Sequence, residues 1–497
     1  MNRRTRRIAV ASAALMAVAG CSSVGTPDRA VPVSPTAPSI ADRGPVPTKA
    51  GPHHYTPGAA SVGDKLAPGT GNGGYDVAHY ALKIGYDPAS KQLTGDDTIT
   101  AFATQDLSRF NLDFHGLSLG PVTVNDAPAT TRRSRDEVQI TPAAGIDVGT
   151  KFVVRLQYSG KPNGYVGSEL GQEGFIPTSN GAVVAGEPYV AASWFPVNDH
   201  PTDKATYAIS ITVPSAYQAL SNGLLASKTV NGASTTWNWV MNQPMASYLA
   251  TAMIGHYRIT NTTDGGRPVV TAVESSLPVS YDATLSRTAE VVSYLEKFFG
   301  PYPFDSEGGI IHADSQFGFA LENQSRPVYS PGFFTRGGDQ TWVLAHELAH
   351  QWFGDSLSVQ SWDDIWLNEG FATYAEWLWS EHLGGEPAKA IFDDTYHGTN
   401  GRSLPTGTPG KLTKQSMFDD NVYVRGAAVL GALRVSLGDP TFFRIVKDWA
   451  TQHRYGNVST AEFIAFVEKE SGKDLTKFFQ EWLYQPGKPP LPTFLGN

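Results

Sequence analysis

The chain has 497 residues, a hydrophobic fraction of 41% and a formal net charge of −9. This length is too great for one ordinary hydrophobic core and indicates two or three domains. The acidic balance argues against a nucleic-acid-binding protein. The only cysteine, Cys21, excludes an intramolecular disulfide and any cysteine-rich metal site. The many glycines and prolines (50 and 34) favour a loop-rich architecture with much β structure.

Residues 1–20 have the pattern of a bacterial lipoprotein signal peptide. Four arginines precede an apolar stretch from Ile8 to Ala19, which is shorter than the roughly 20 residues that a membrane-spanning helix needs. Small residues then lead directly to Cys21, the position where lipidation requires a cysteine. The alternative is an ordinary cleaved signal that contains a cysteine by chance. The paired arginines leave both the general secretory and the twin-arginine export routes open.

Lipidation of Cys21 would place the protein outside the cytoplasm, anchored to the outer face of the bacterial cell membrane. Loss of residues 1–20 removes four arginines and no acidic residue, so the formal charge changes from −9 to −13. We therefore expect membrane contact through the lipid alone and no binding to nucleic acid.

Residues 21–70 are rich in Pro, Ser, Thr, Ala and Gly and contain few large apolar side chains. Such a segment cannot bury enough surface to offset the entropy of ordering, so we predict a disordered tether. From about Tyr75 the texture changes to short segments in which apolar and polar residues alternate, as is typical of strands. The pattern predicts an all-β domain of saddle or sandwich type over residues 71–272.

Helical periodicity replaces the alternating pattern after residue 272. The segment 285–299 carries apolar residues at helical spacing and ends at Gly300-Pro301. Ser459 and Glu462 predict a capping box at the start of another helix. Further helices are predicted at 340–353, 364–380, 422–437, 440–452, 459–471 and 474–484. The fold class is therefore α+β and multidomain, with a mainly helical domain over residues 273–490 and a short tail at 491–497.

Two histidines four residues apart lie on the helix predicted at 340–353. His346 and His350 are one turn apart on the same face, so both imidazoles can bind one metal ion. Glu347 lies beside the first histidine, where it can act as a base without being a ligand. Glu369, separated from His350 by eighteen residues, supplies a third ligand on the next predicted helix. Histidines on an apolar helix can also be core residues, but motif and spacing together favour a zinc site.

This constellation resembles the aminopeptidase N family of gluzincin zinc peptidases. The similarity covers most of residues 75–490. Its most specific parts are His-Glu-Leu-Ala-His-Gln-Trp-Phe-Gly (346–354) and Trp-Leu-Asn-Glu-Gly-Phe-Ala (366–372). The resemblance implies an N-terminal β domain followed by a thermolysin-like catalytic domain that holds one Zn²⁺. It also implies an enzyme that removes N-terminal residues from peptides, with Glu347 as the catalytic base.

The resemblance extends to residues that bind the free α-amine of the substrate. The family has a Gly-x-Met-Glu-Asn strand, and the corresponding segment here is Phe319-Ala320-Leu321-Glu322-Asn323. Glu322 and Asn323 match, whereas the first and third positions differ, which affects the first side-chain pocket. A second amine-binding residue is implied at Glu187, eight residues before Phe195-Pro196-Val197-Asn198-Asp199. Two carboxylates facing an ammonium would favour peptides with a free N-terminus.

The segment Tyr423-Val424-Arg425-Gly426 resembles the family's Tyr-x-Lys-Gly, whose tyrosine hydroxyl stabilises the oxyanion. Tyr423 lies 54 residues after Glu369, somewhat nearer than is usual in the family. Larger relatives continue into helical domains that cover the active site. Because this sequence ends at Asn497, soon after a segment that resembles the end of the catalytic domain, we expect a more open cleft that admits longer peptides.

Two other functions fit the same residues. A zinc endopeptidase on the same scaffold would use the same metal site, as thermolysin-like relatives do. A surface-tethered peptide-binding protein with a vestigial site is the alternative from another class. The intact ligands, base and tyrosine argue against a vestigial site. One branch of the family is known for an epoxide hydrolase activity, but no residue here indicates it.

Overall fold

A computed structural model describes residues 52–168, 171–313, 317–335 and 340–494. The predicted signal peptide, Cys21 and the first part of the predicted tether lie outside these residues. Strands fill the first half of the described chain. They are β1 (Thr56–Pro57), β2 (Tyr75–Asp87), β3 (Gln92–Ala103), β4 (Leu107–Asp113), β5 (Ser118–Val124), β6 (Ala127–Pro128), β7 (Thr130–Ser134), β8 (Glu137–Thr141), β9 (Lys151–Gly160), β10 (Tyr165–Ser168), β11 (Gly171–Pro177), β12 (Ala182–Ala185), β13 (Ala205–Pro214), β14 (Gln218–Leu220), β15 (Leu224–Asn231), β16 (Ser234–Met245), β17 (Met253–Gly255), β18 (Tyr257–Asp264) and β19 (Arg267–Glu274).

These strands form three sheets before residue 256. The largest has eight strands in the order β15-β16-β13-β2-β3-β9-β5-β6, with β2 and β13 parallel. A five-stranded sheet (β10-β11-β12-β17-β14) and a four-stranded sheet (β1-β4-β8-β7) complete the β domain. The alternation expected in the first long strand is confirmed, because Tyr80, Leu82, Ile84 and Tyr86 are all buried on one face of β2.

A fourth sheet lies across the predicted domain boundary at 272/273. It has the order β18-β19-β20-β22-β21, where β20 is Glu307–Ile311, β21 is Ala320–Leu321 and β22 is Val328–Tyr329. β19 pairs in parallel with β20, so strands on both sides of residue 272 share one ladder. The alternating pattern of the β domain continues through β19. However, β19 pairs with β20, which lies after the predicted boundary.

Helices dominate the second half of the chain, as predicted. They are α1 (Ser280–Leu285), α2 (Thr288–Phe299), α3 (Trp342–Ala349), α4 (Trp366–His382), α5 (Ala388–His397), α6 (Gly426–Leu437), α7 (Asp439–Gln452), α8 (Thr460–Ser471) and α9 (Thr476–Phe479). A small parallel pair, β23 (Ser358–Val359) and β24 (Asn457–Val458), lies among them. The capping box predicted at Ser459 and Glu462 is confirmed at the start of α8. Among the described residues, no helix has the length and apolar character needed to cross a membrane.

The structure shortens the tether predicted over residues 21–70. Strand β1 pairs with β4, and Leu66 and Ala67 are buried in the core. The Asp64 carboxylate accepts a hydrogen bond from the Trp362 backbone N–H (2.8 Å) and another from the Ser361 hydroxyl (2.9 Å). The second part of this segment therefore packs between the β domain and the helical domain. A few well-placed side chains order it despite its low apolar content.

Arg425 is a buried arginine that fixes the turn carrying Tyr423. It lies in a π-helical turn, Asn421–Arg425, directly before α6, and its side chain is fully buried. Its guanidinium donates to five backbone carbonyls, those of Pro405, Glu481, Trp482, Gln485 and Gly487. The guanidinium is planar and has five N–H donors, so it can reach all five carbonyls at once. A lysine ammonium, with three donors on one atom, cannot.

Arg425→Ala should lower the free energy of unfolding by about 3 kcal/mol or more, because several buried carbonyls would lose a charged donor. Arg425→Lys should be intermediate. Urea unfolding of the purified variants measures both effects. Arg444→Ala is the matched control, since Arg444 is half-exposed in its pairs with Asp448 and Glu470 and should cost less than about 1 kcal/mol. Equal losses for the two alanine variants would show that Arg425 has no special structural role.

Candidate metal and peptide site

The two histidines of the predicted metal site lie on α3 and at its C-terminal end. α3 is apolar on nearly every face, and Leu344, Ala345 and Leu348 are fully buried. This burial holds the helix between α2 and α4. His346 and His350, one turn apart, bring their ring centroids within 4.9 Å of each other. The structure therefore places both imidazoles on one face, as the spacing predicts.

Glu369 lies in the first turn of α4, and close helix packing positions it. A Cβ atom added at Gly370 would lie only 2.8 Å from the carbonyl carbon of Gly426, the first residue of α6. The two glycines therefore allow α4 and α6 to approach more closely than any side chain would permit. Tyr423 lies three residues before α6, in the turn that leads into it, so the same contact brings Glu369 and Tyr423 to one cavity.

The three predicted ligands fit a zinc ion. Nε2 of His346 is 3.2 Å from Oε2 of Glu369, and Nε2 of His350 is 3.3 Å from the same oxygen. Ligand atoms bound tetrahedrally at about 2.0–2.1 Å from Zn²⁺ are about 3.3 Å apart. Two imidazole nitrogens and one carboxylate, with a fourth position left open, form the donor set of catalytic zinc sites. His346, His350 and Glu369 are thus the residues that would hold the ion.

Further groups orient the ligands. Nδ1 of His346 lies 2.7 Å from Oε1 of Glu376, and Nδ1 of His350 lies 3.0 Å from the carbonyl oxygen of Phe353. Both contacts leave Nε2 free to face the metal position. Burial opposes ionisation of Glu369, but the neighbouring imidazoles more than offset it and hold its pKa at about 2. Glu369 is therefore anionic, the form in which a carboxylate binds a metal.

Glu347 is almost fully buried and lines the same cavity as the ligands. Burial raises its pKa to about 8, against the opposing effect of His346 and His350. A carboxylate with a pKa near neutrality is suited to accept a proton and to return it. Ligand-type atoms of Glu347, Glu322 and His350 all lie within 4.8 Å of one another. The predicted base is thus adjacent to both the metal site and the predicted amine site.

Glu187 and Glu322 come from different domains and face the same cavity. Glu187 is followed by a cis proline, Pro188, in the β domain. Glu322 follows β21, and its Oε1 accepts a hydrogen bond from the Tyr248 hydroxyl at 3.1 Å. Burial raises the pKa of both carboxyl groups, and the charge of Glu322 raises that of Glu187 further. A cationic ligand between them would relieve this cost.

Asn323 does not line this cavity, in contrast to its predicted contact with substrate. Its side chain is fully buried, and Nδ2 donates to the carbonyl oxygen of Leu249 at 3.0 Å. Asn323 thereby ties the strand that carries Glu322 to the β domain. The resemblance pairs it with Glu322 in sequence, but adjacent residues of an extended segment point to opposite sides.

Tyr423 lies beside His346, with ring centroids 6.0 Å apart and an interplanar angle of 21°. Burial raises the pKa of its hydroxyl well above the usual value, and the charges of Glu369 and Glu187 add to this effect. The hydroxyl therefore keeps its proton and can donate a hydrogen bond into the cavity.

Three positioning residues were not found from the sequence. Glu376 lies two turns after Glu369 on α4, and this seven-residue spacing was the available signal. Gln351 follows His350 directly, and its Nε2 donates to the backbone carbonyl of Glu322 at 2.9 Å. Tyr248, in the β domain, had no sequence signal, because only the fold brings it to Glu322.

The metal site and the amine site lie in one cleft with a volume of about 280 Å³. It is lined by the three ligands, by Glu347, Glu187, Glu322 and Tyr423, and by Glu376 and several apolar side chains. The structure therefore brings every predicted site residue to one place except Asn323 and Cys21. Cys21 lies outside the described residues.

Comparison with known proteins agrees with this geometry. Residues 77–249 match the model of the peptidase M1 N-terminal domain, and residues 283–482 match that of the peptidase family M1 domain. A solved structure of an M1 zinc metallopeptidase from Deinococcus radiodurans superposes with a TM-score of 0.80 at 30% identity, covering 88% of this chain and 100% of that one. The chain belongs to the M1 family of zinc peptidases.

Among M1 relatives, the human glutamyl aminopeptidase is 26% identical over 469 residues, which are 84% of this chain and 48% of the relative. Aminopeptidase M1 of Arabidopsis thaliana is 26% identical over 442 residues, 82% of this chain and 50% of the relative. The chain thus spans about half the length of these curated relatives. A mutant of the Deinococcus enzyme, 29% identical with a TM-score of 0.80 over 87% of this chain and 99% of that one, was solved with a Tyr-Ser-Ala substrate.

Proposed function

We propose that the protein is a zinc-dependent aminopeptidase that removes N-terminal residues from peptides with a free amine. The observation that carries the proposal is the presence of Glu187 and Glu322 in the same cleft as His346, His350 and Glu369. A hydrolytic metal site alone would fit any zinc peptidase. Two buried carboxylates beside it fit a substrate whose positive charge lies next to the bond to be cleaved.

Different residues of the cleft have separate roles in hydrolysis. When bound, Zn²⁺ supplies Lewis acidity that polarises a carbonyl and lowers the pKa of water toward about 7. Glu347 accepts the proton of the attacking water molecule and passes it to the leaving amine. The Tyr423 hydroxyl donates a hydrogen bond to the oxygen on which negative charge develops.

Glu187 and Glu322 hold the α-ammonium group and set which bond is reached. A free N-terminus pairs with both carboxylates and so offsets the cost of removing their charges from water. An acetylated N-terminus has no charge and would leave both carboxylates unpaired. The first peptide bond, and no later one, is then adjacent to Glu347 and the metal ligands.

A pair of reporters tests the proposal. An aminoacyl reporter and its N-acetylated form should be assayed with and without a chelator, followed by re-addition of Zn²⁺. An aminopeptidase cleaves the free form only, loses the activity with the chelator and regains it with zinc. Cleavage of both forms would indicate an endopeptidase, and binding without cleavage by the zinc-loaded protein would indicate a vestigial site.

Tyr423→Phe should lower kcat on the order of 100-fold with little change in KM, the loss expected for one oxyanion donor. The change removes only the hydroxyl, so the ring stays beside His346. Steady-state kinetics on the free reporter measures the effect. Tyr189→Phe is a matched control, since its hydroxyl accepts a hydrogen bond from Lys414 and does not line the cleft. A near-normal kcat for Tyr423→Phe would assign this tyrosine to packing.

We further propose that the protein is exported and held at the outer face of the bacterial cell membrane by a lipid on Cys21. The support is the basic, apolar and small-residue sequence of positions 1–20 that ends at the only cysteine. Cys21→Ser should move the protein from the membrane fraction to the soluble fraction and abolish incorporation of labelled fatty acid. Unchanged fractionation and labelling would contradict the anchor.

A further inference from the structure

An aromatic rim borders the cleft beside the N-terminal end of α3. Its members are Phe319, Phe333 and Trp342, all of which line the cleft. Trp342 has 38% of its surface exposed, among the few large apolar side chains of the described residues that are not covered. The rings of Phe333 and Trp342 are in edge-to-face contact, with centroids 5.9 Å apart.

The direction of α3 separates this rim from the amine site. Trp342 is the first residue of α3, one turn before His346, so about 5–6 Å separates these two positions along the helix. Beyond the other end of α3, Gln351 donates to the carbonyl of Glu322 and accepts from the backbone N–H of Ser325 (2.6 Å). The helix therefore runs from the aromatic rim, past the metal ligands, to the segment that binds the amine.

Strand β21 contacts α3 and also lines the cleft. Phe319 directly precedes β21, and Glu322 directly follows it. The phenyl ring of Phe319 packs against that of Phe317, with centroids 4.6 Å apart and an interplanar angle of 59°. Both elements thus carry aromatic residues at one end and the amine-binding segment at the other.

We propose that this aromatic rim is the subsite for the residue that follows the scissile bond, and that it selects peptides with an aromatic second residue. The inference rests on the proposed aminopeptidase function. A peptide whose ammonium lies between Glu187 and Glu322 has its first carbonyl at the metal ligands. Its second Cα lies about 3.8 Å further along the chain. The second side chain then extends toward Trp342, one helical turn beyond His346.

The chemistry of the rim determines which side chain it binds. The exposed indole of Trp342 and the half-buried phenyl ring of Phe333 are in edge-to-face contact, an arrangement that can accept a third ring. A glycine in the second position would leave the apolar surface of Trp342 in water. An aromatic residue would cover it, and removal of apolar surface from water is favourable.

Hydrolysis of two tripeptides, Leu-Phe-Ala and Leu-Gly-Ala, tests the inference in the zinc-loaded full chain. We expect kcat/KM to be at least about tenfold higher for Leu-Phe-Ala, the ratio that 1.4 kcal/mol represents. The difference should lie mainly in KM, because the contact is present before and during the reaction. Trp342→Ala should reduce the ratio to within about twofold, and Trp342→Phe should give an intermediate ratio.

Leu383→Ala is the matched control, since Leu383 is an exposed apolar residue at the end of α4 that does not line the cleft. This variant should keep the wild-type ratio. Equal wild-type efficiencies for the two tripeptides, or an unchanged ratio in Trp342→Ala, would overturn the inference and leave the aminopeptidase function intact.

Two further outcomes are decisive. If the wild type cleaves neither tripeptide, the proposed function fails, and the subsite fails with it. If a melting curve shows that Trp342→Ala is unfolded, Phe333→Ala takes its place, because it removes the ring in edge-to-face contact with Trp342. An unchanged ratio in a folded Phe333→Ala variant would then overturn the inference.

Discussion

Glu347→Gln should lower kcat by about three orders of magnitude, within the 10²–10⁴-fold range of a general base. Glutamine has the same shape but cannot take a proton from water. The side chain is buried in the cleft and is not one of the three ligands, so the variant should still bind one zinc ion per chain. Kinetics on the free reporter together with metal analysis of the purified protein measures both properties.

Glu290→Gln is the control for this change. Glu290 pairs with Arg287 and His382 on the surface, so its loss should leave kcat within about twofold, as is usual for exposed pairs. Turnover within tenfold of the wild type by zinc-loaded Glu347→Gln would remove Glu347 as the base. Loss of zinc from that variant would instead place Glu347 among the ligands.

Glu322→Ala should lower kcat/KM for unblocked substrates by roughly 100- to 1,000-fold, since truncating one partner of a buried ion pair costs about 2–5 kcal/mol. The rate on the N-acetylated reporter, already very low, should hardly change. The preference for a free amine therefore collapses, whereas loss of general activity would lower both rates together. The measurement is the ratio of kcat/KM for the free and the acetylated reporter in each variant.

Glu307→Gln is the matched control for a buried carboxylate. Glu307 is fully buried in β20, pairs with Arg267 and does not line the cleft. Its substitution should alter the unfolding midpoint but keep the preference for a free amine. Glu187→Gln should resemble Glu322→Ala in direction. If Glu322→Ala lowers both rates by the same factor, Glu322 has a structural role and another group binds the amine.

The metal site could be predicted from the sequence because the residues that form it lie close together in the chain. His346 and His350 are one turn apart, and Glu347 is adjacent, so helical geometry alone defines their common face. Glu369 needed only the return of the chain over residues 350–365 onto the next helix. The strong alternation of β2 likewise predicted its buried face, because a strand has a side-chain period of two.

Other features depend on contacts between distant segments and were missed for that reason. Asn323 turns away from the cleft because Leu249, in the β domain, accepts its hydrogen bond. Helix α5 was also not predicted, although its buried side chains (Ala388, Ile391, Phe392, Thr395 and Tyr396) recur at helical spacing, so in this case the signal was local. The end of the predicted tether is ordered by Asp64, whose partners lie about 300 residues away.

The central claim is that the cleft removes one residue at a time from a free N-terminus. Mass spectrometry of a ten-residue peptide, incubated with zinc-loaded protein in its free and N-acetylated forms, tests it most directly. We predict a ladder of products that each lack one more N-terminal residue, formed only from the free peptide and suppressed by a chelator. Internal fragments formed equally from both peptides would contradict the claim.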